Sequence, residues 1–151
     1  IAPTTQLRKS GANLALATDN MHGDMVEVMR WALIVGRLQE QGINDFWQPH
    51  HVLHMATMGG ARALGMETEI GSLKPGKKAD LVAFDFRRPH LVPRINTVGN
   101  LVHTAQGRDV EYVMCDGEIL VESGELCNVD MAELLARAQA AAESLWTRAR
   151  Q

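Results

Sequence analysis

Asp19 is the residue of this sequence best placed to do chemistry. It directly follows Asn13-Leu-Ala-Leu-Ala-Thr18, an apolar run too short for a helix and suited to a strand buried on both faces, as in a parallel sheet. In parallel α/β architectures ligands meet the C-terminal ends of the strands. A carboxylate there could bind a divalent metal or take a proton from a metal-bound water. From spacing alone it could equally cap a loop or a helix. Asn20 and His22 follow in a polar loop that runs to Asp24. Met21 could pack against a ring there, or simply fill space. Asp24 and Glu27 could bracket a ligand, but an acidic pair beside a helix start is also a capping arrangement. His50 and His54 stand four apart on a helix, a spacing that can hold zinc; His51 occupies the place where a zinc-protease helix has Glu, so that pattern is missing and a surface or packing role is expected. Cys115 and Cys127 show neither CxxC nor zinc-ribbon spacing and read as two free thiols.

These residues need elements to position them. Pro3 and Thr4-Thr5 open a short helix that Gly11 ends. From Met25 the apolar period becomes helical, with Val26, Met29, Ala32 and Leu33 on one face to about Gln41. Pro49 suits the first turn of the next helix, whose inner face is Val52, Met55, Ala56, Gly59, Ala63 and Leu64; Gly59-Gly60 points to close packing against a neighbour. Trp31 and Trp47 read as packing anchors. Beyond Gly65, Pro75-Gly76 marks a turn and Ala79 to Phe86 a strand. Asn100 to Gln106 is ambiguous between helix and strand. Val110 to Cys115, Asp116-Gly117 and Glu118 to Glu122 form the clearest hairpin. Asp130 caps a last helix from Met131 to about Arg148.

Composition excludes several classes. The chain has 151 residues, 46% hydrophobic and 22% charged, with a formal net charge of -3. That describes an ordinary globular chain of one domain, or one domain plus a fragment. The acidic balance and the lack of a basic stripe argue against nucleic acid. No apolar run approaches the roughly 20 residues of a membrane helix, and IAPTTQLRKSG has no apolar core of a signal peptide, so a cytoplasmic protein with no membrane partner is expected. The chain opens at Ile1 without Met, which suggests a longer chain.

Several segments carry a resemblance. Gly11-Ala-Asn-Leu-Ala-Leu-Ala-Thr-Asp-Asn20, followed by Asp24-Met25 and Glu27-Val-Met-Arg30, resembles the last barrel strand and following loop of the amidohydrolase superfamily. It is most similar to the branch of S-adenosylhomocysteine and methylthioadenosine deaminases, guanine and cytosine deaminases, and triazine hydrolases. Met55-Ala-Thr-Met-Gly-Gly-Ala-Arg-Ala-Leu-Gly65 resembles that family's helix. Glu69-Ile-Gly-Ser-Leu-Lys-Pro-Gly-Lys-Lys-Ala-Asp-Leu-Val82 resembles its C-terminal signature, a specific marker that is structural and not catalytic, and Asp116-Gly117 sits at its last hairpin turn.

The resemblance implies an α/β fold: the C-terminal end of a (β/α)8 metal-dependent hydrolase barrel over residues 1–64, a composite β-sandwich module over 65–128 and a C-terminal helix over 129–151. It implies hydrolytic deamination, cleaving a C–N bond of an aromatic heterocycle such as a purine, pyrimidine or triazine. Metal-bound hydroxide attacks the ring, and Asp19 ligates the metal and accepts a proton. Asn20 and His22 are the expected substrate contacts. The cofactor is one divalent metal ion, zinc first and iron as the alternative, with the other ligands (an HxH motif and further histidines) outside this chain. The 151 residues alone are therefore expected to be inactive, and poorly folded around residues 12–64. His90 and His103 sit in or beside the β module with no catalytic role. Partners are a small heterocyclic substrate and a second copy in a homo-oligomer. Many relatives place Gly or Ser after this Asp and then a longer loop, so Asn20-Met-His-Gly23 leaves the substrate open. Two alternatives stand: a cyclic amide hydrolase of the same superfamily, or a noncatalytic C-terminal assembly module.

Overall fold

The helical half is organised around α2, Met25–Gln39, whose apolar stripe buries Val26, Met29 and Leu33. The computed structural model describes residues 1–20 and 23–150. Short α1, Thr4–Lys9, leads into α2 through an extended segment. Pro49 opens α3, Pro49–His54, at the position where its missing N–H costs nothing. This helix continues through a π turn, Met55–Gly59, into α4, Gly60–Ala63. A core of Trp47, Val52, Met55, Leu91, Val102 and Ala105 joins the α2 stripe. Val102 belongs to α5, Thr97–His103, which settles the ambiguous stretch as helix; Asn96 caps it by accepting the Gly99 N–H at 2.8 Å. Ala63 and Leu64 are exposed, against expectation, because the π turn rotates the helix face before it reaches them.

Trp47 is the anchor expected of it. Its ring is 1% exposed, and its Nε1–H donates to Thr5 Oγ1 at 2.9 Å. Gly36 on α2 gives the ring room: a Cβ there would lie 2.3 Å from Trp47 Cδ2. Trp31, by contrast, is 56% exposed on the far side of α2, because the buried stripe runs through 26, 29, 33 and 36.

The second half is an antiparallel sheet in the order β1-β2-β3-β4: Leu81–Phe84, Val110–Cys115, Glu118–Glu122 and Glu125–Leu126. Cys115 pairs with Glu118 across a two-residue turn in which Asp116 and Gly117 both have positive φ, the twist that suits a hairpin. Sequence reading missed β4, a two-residue return after Ser123-Gly124. The expected sandwich is, among the described residues, this one sheet. The signature motif proves structural: Lys77 Nζ donates to the carbonyls of Glu67 and Ile70, Lys78 pairs with Asp116, and Asp80 accepts the Asp116 N–H at 2.7 Å. Asp130 caps α6, Met131–Ala149, by accepting the Glu133 N–H. None of the residues of α6 is buried. No described helix is long and apolar enough to cross a membrane.

One hydrogen-bonded pair, His90 and Asp109, ties the halves of the sheet module together. Asp109, 3% exposed in its side chain, faces His90 Nε2 at 2.7 Å and accepts the Gln106 N–H at 2.9 Å. Burial pushes its carboxyl up, but the bonds from His90 and Gln106 outweigh that and hold it below the ordinary range. An ionised Asp109 makes His90 Nε2 the donor.

Two predictions follow from packing and charge. Gly36→Ala gains up to about 1 kcal/mol of helix propensity but drives a methyl into an immobile ring, so a net loss of about 1–2 kcal/mol is expected from urea unfolding of the full-length protein, while exposed Leu38→Ala changes little. Asp109 has a folded pKa below its unfolded value, so its stabilisation is present above about pH 4 and is lost as pH falls through the folded value. The gap in thermal midpoint between the native protein and Asp109→Asn should therefore be widest near neutrality and close on acidification.

Candidate active site

Asp19 is delivered by an extended segment, residues 12–18, and not by a paired strand. No described strand pairs with it; all four described strands belong to the antiparallel sheet. Among the described residues, its backbone is held by the α3–α4 helix. Leu16 N–H donates to Met55 O at 3.3 Å, and Asn13 Nδ2 donates to Gly59 O at 2.9 Å. Both acceptors bound the π turn, where the helical ladder is rearranged. Gly59 is required: a Cβ there would lie 2.3 Å from Leu14 O. Leu14 and Leu16 pack on the core while Ala15 and Ala17 are exposed, the alternation of an extended chain with one face covered.

At the end of this segment the backbone turns sharply. Asp19 and Asn20 have φ of 51° and 53°, two successive left-handed residues of the types that tolerate it without being glycine. Asp19 is exposed and lines an open cleft of about 550 Å³ with Ala17, Thr18, Glu27 and Trp31. Asn20 is exposed beside it. His22 and Met21 lie outside the described residues, so neither the substrate contact expected of His22 nor the packing of Met21 is placed.

The acidic pair after the loop divides its labour. Asp24 is the cap: one oxygen accepts Val26 N–H at 2.9 Å and Glu27 N–H at 3.2 Å, and the other accepts Gly107 N–H at 2.9 Å. It fastens the start of α2 to the loop before β2. Glu27 faces the Asp19 cleft and accepts Trp31 Nε1–H at 3.2 Å. Sequence reasoning left Glu27 open between bracketing a ligand and capping, and took Trp31 for a packing anchor, not a neighbour of Asp19. The signal was available in the cap itself, since a helix starting at Asp24 points its first-turn side chains back toward the preceding loop.

The described histidines sit elsewhere. His50, His51 and His54 line a separate cleft at the other end of the extended segment. His103 is held below its ordinary range by burial and by Arg37 and Arg30. Among the described residues no group of three or more His, Cys, Asp or Glu could hold a metal ion. Asp19 has the chemistry of one oxygen donor to a divalent ion. The remaining ligands would come from outside the described residues.

Comparison with known proteins gives the family and the fold. The model of the Amidohydrolase family matches residues 1–120. A 5-methylthioadenosine/S-adenosylhomocysteine deaminase of Moorella thermoacetica is 41% identical over 141 residues, 91% of this chain and 33% of that protein. A 5'-deoxyadenosine deaminase of Methanosarcina acetivorans is 36% identical over 153 residues, 99% of this chain and 35% of that protein. Among solved structures, an adenosine deaminase from Xanthomonas campestris with bound zinc superposes with a TM-score of 0.90 at 31% identity, covering 96% of this chain and 34% of that one. The chain thus spans about a third of the length of the curated relatives it matches. With a family match across most of its length and a fold shared with a zinc-bound deaminase, this chain belongs to the amidohydrolase family.

Proposed function

We propose that this chain is the C-terminal part of a metal-dependent amidohydrolase that hydrolytically deaminates an aromatic heterocycle, most closely an adenosine derivative. The reaction exchanges a ring C–NH2 for C–OH, consuming water and releasing ammonia. The observation that carries the reading is Asp19, exposed at the end of a segment pinned to the π turn and held in a left-handed backbone. A divalent ion, zinc or iron in its place, would supply Lewis acidity and an activated water. Asp19 would hold that ion through one carboxylate oxygen and take up the proton released as water is consumed. Asn20 and His22 would contact substrate, with Glu27 and Trp31 shaping the adjoining wall. The zinc in the Xanthomonas campestris structure and the adenosine-type substrates named for the two relatives support this reading.

A cytoplasmic site of action and a homo-oligomer complete the proposal. The second is supported by α6, where Leu134, Leu135, Leu145 and Trp146 are all exposed.

Asp19→Asn in the full-length protein is the decisive variant, because Asn also tolerates the left-handed backbone and the fold is left intact. Ammonia release from 5'-methylthioadenosine, S-adenosylhomocysteine and 5'-deoxyadenosine should fall by a factor on the order of 10²–10⁴, and bound zinc should fall with it. Unchanged turnover and unchanged metal content would remove Asp19 from the reaction.

A further inference from the structure

The extended segment that ends at Asp19 begins beside a second cleft, of about 480 Å³, lined by Arg8, Asn13, His50, His51, His54 and Arg62 among others. Its volume falls in the range of small-ligand sites. Two guanidinium groups and three imidazoles share it, and among the described residues no Asp or Glu lines it. The geometry points to a binding site for a small phosphate-bearing anion, formed where α1, the start of the extended segment and the α3–α4 helix meet.

Each group has a distinct part. Arg8 is fixed in place: it donates to Phe46 O and lies 4.3 Å from the Phe46 ring centroid and 5.0 Å from that of Trp47. A cation held this way loses little freedom when an anion arrives. Arg62, exposed on α4, brings the second guanidinium to the lining. His50 and His54 lie one helical turn apart and are exposed, so both can approach a ligand. His51 is different. Its Nδ1 accepts the Gln48 N–H at 3.1 Å, which puts the proton of the neutral ring on Nε2. Burial, reinforced by Arg8, His50 and His54, lowers its pKa to about 4, so near neutrality it contributes a hydrogen-bond donor without adding charge. The cleft thus offers donors and positive charge together, the combination that recognises phosphate.

The competing reading is a metal ion on the His50–His54 pair. The surroundings argue against it. A divalent cation would sit among two permanent positive charges with no carboxylate among the described lining residues, whereas an anion gains from both. The inference does not rest on the role of Asp19, and its readout is binding, not turnover.

The test is calorimetric titration of the full-length protein with inorganic phosphate, ribose 5-phosphate and zinc chloride, for the native protein, Arg62→Gln and His54→Gln. Both altered residues are exposed, so folding should survive, and thermal midpoints check that it does. Saturable binding is expected for at least one phosphate compound, weakened about tenfold by Arg62→Gln and less by His54→Gln. Binding of both compounds would mean that the phosphate alone is recognised; binding of only the sugar phosphate would identify an organic ligand. The proposal is overturned if neither binds, if binding is indifferent to both substitutions, or if zinc binds in a His54-dependent manner while phosphate does not.

Discussion

The contact on which the site depends is a backbone one. Leu14 O lies so close to Gly59 that no side chain could stand there, and the Asn13 amide and the Leu16 N–H are bonded to the two ends of the same π turn. These bonds fasten one edge of the extended segment to the helix. The π turn matters because it disturbs the i→i−4 ladder where the segment arrives, which lets helix carbonyls bond outside the helix. Everything Asp19 could do follows from its being held at the end of that segment.

A second tether fixes the other end of the loop. Asp24 spends one oxygen on the first turn of α2 and the other on Gly107, eighty-three residues further along the chain. The loop before β2 is in turn fastened through Asp109 to Gln106 and His90. The short path from Asn20 to Asp24 is thus bounded by a residue on each side whose position is set by a different part of the fold. Arg30 adds to this join by donating to the carbonyls of Val102 and Ala105 near the end of α5. The start of α2 and the segment before β2 are thus joined by hydrogen bonds, and Leu91 and Val102 lie in the buried apolar core with the α2 stripe.

What the sequence revealed was whatever a local rule decides. Pro49 at a helix start, Asp24 and Asp130 as caps, and Asp116-Gly117 as a hairpin turn each act within a few residues, and each stands where it was expected. What escaped was decided by distant contact. The run from Asn13 to Thr18 has the composition of a buried strand, and composition could not show that its described hydrogen-bond partners are Met55 and Gly59 of the helix. Trp31 and Trp47 look alike in sequence; which is buried depends on Gly36 making room on one face of α2. His51 could not be told from His50 and His54 until Gln48 and Arg8 were seen beside it. Of the candidate site, an exposed turn at Asp19 and Asn20 does follow the apolar run, Glu27 had been open between a ligand contact and a cap, and Trp31, expected only to pack, lines the same cleft.

The carboxylates of the chain show why Asp19 stands apart. Asp24, Asp80, Asp109 and Asp130 each accept a backbone N–H, a use that repays the cost of ordering them by satisfying a donor the fold would otherwise leave bare. Asp19 accepts no hydrogen bond from any described residue and sits in a backbone region that an L residue enters only at a cost. Its lone pairs are not committed within the described residues, which is what the proposed role as ligand to a divalent ion and acceptor of a proton requires.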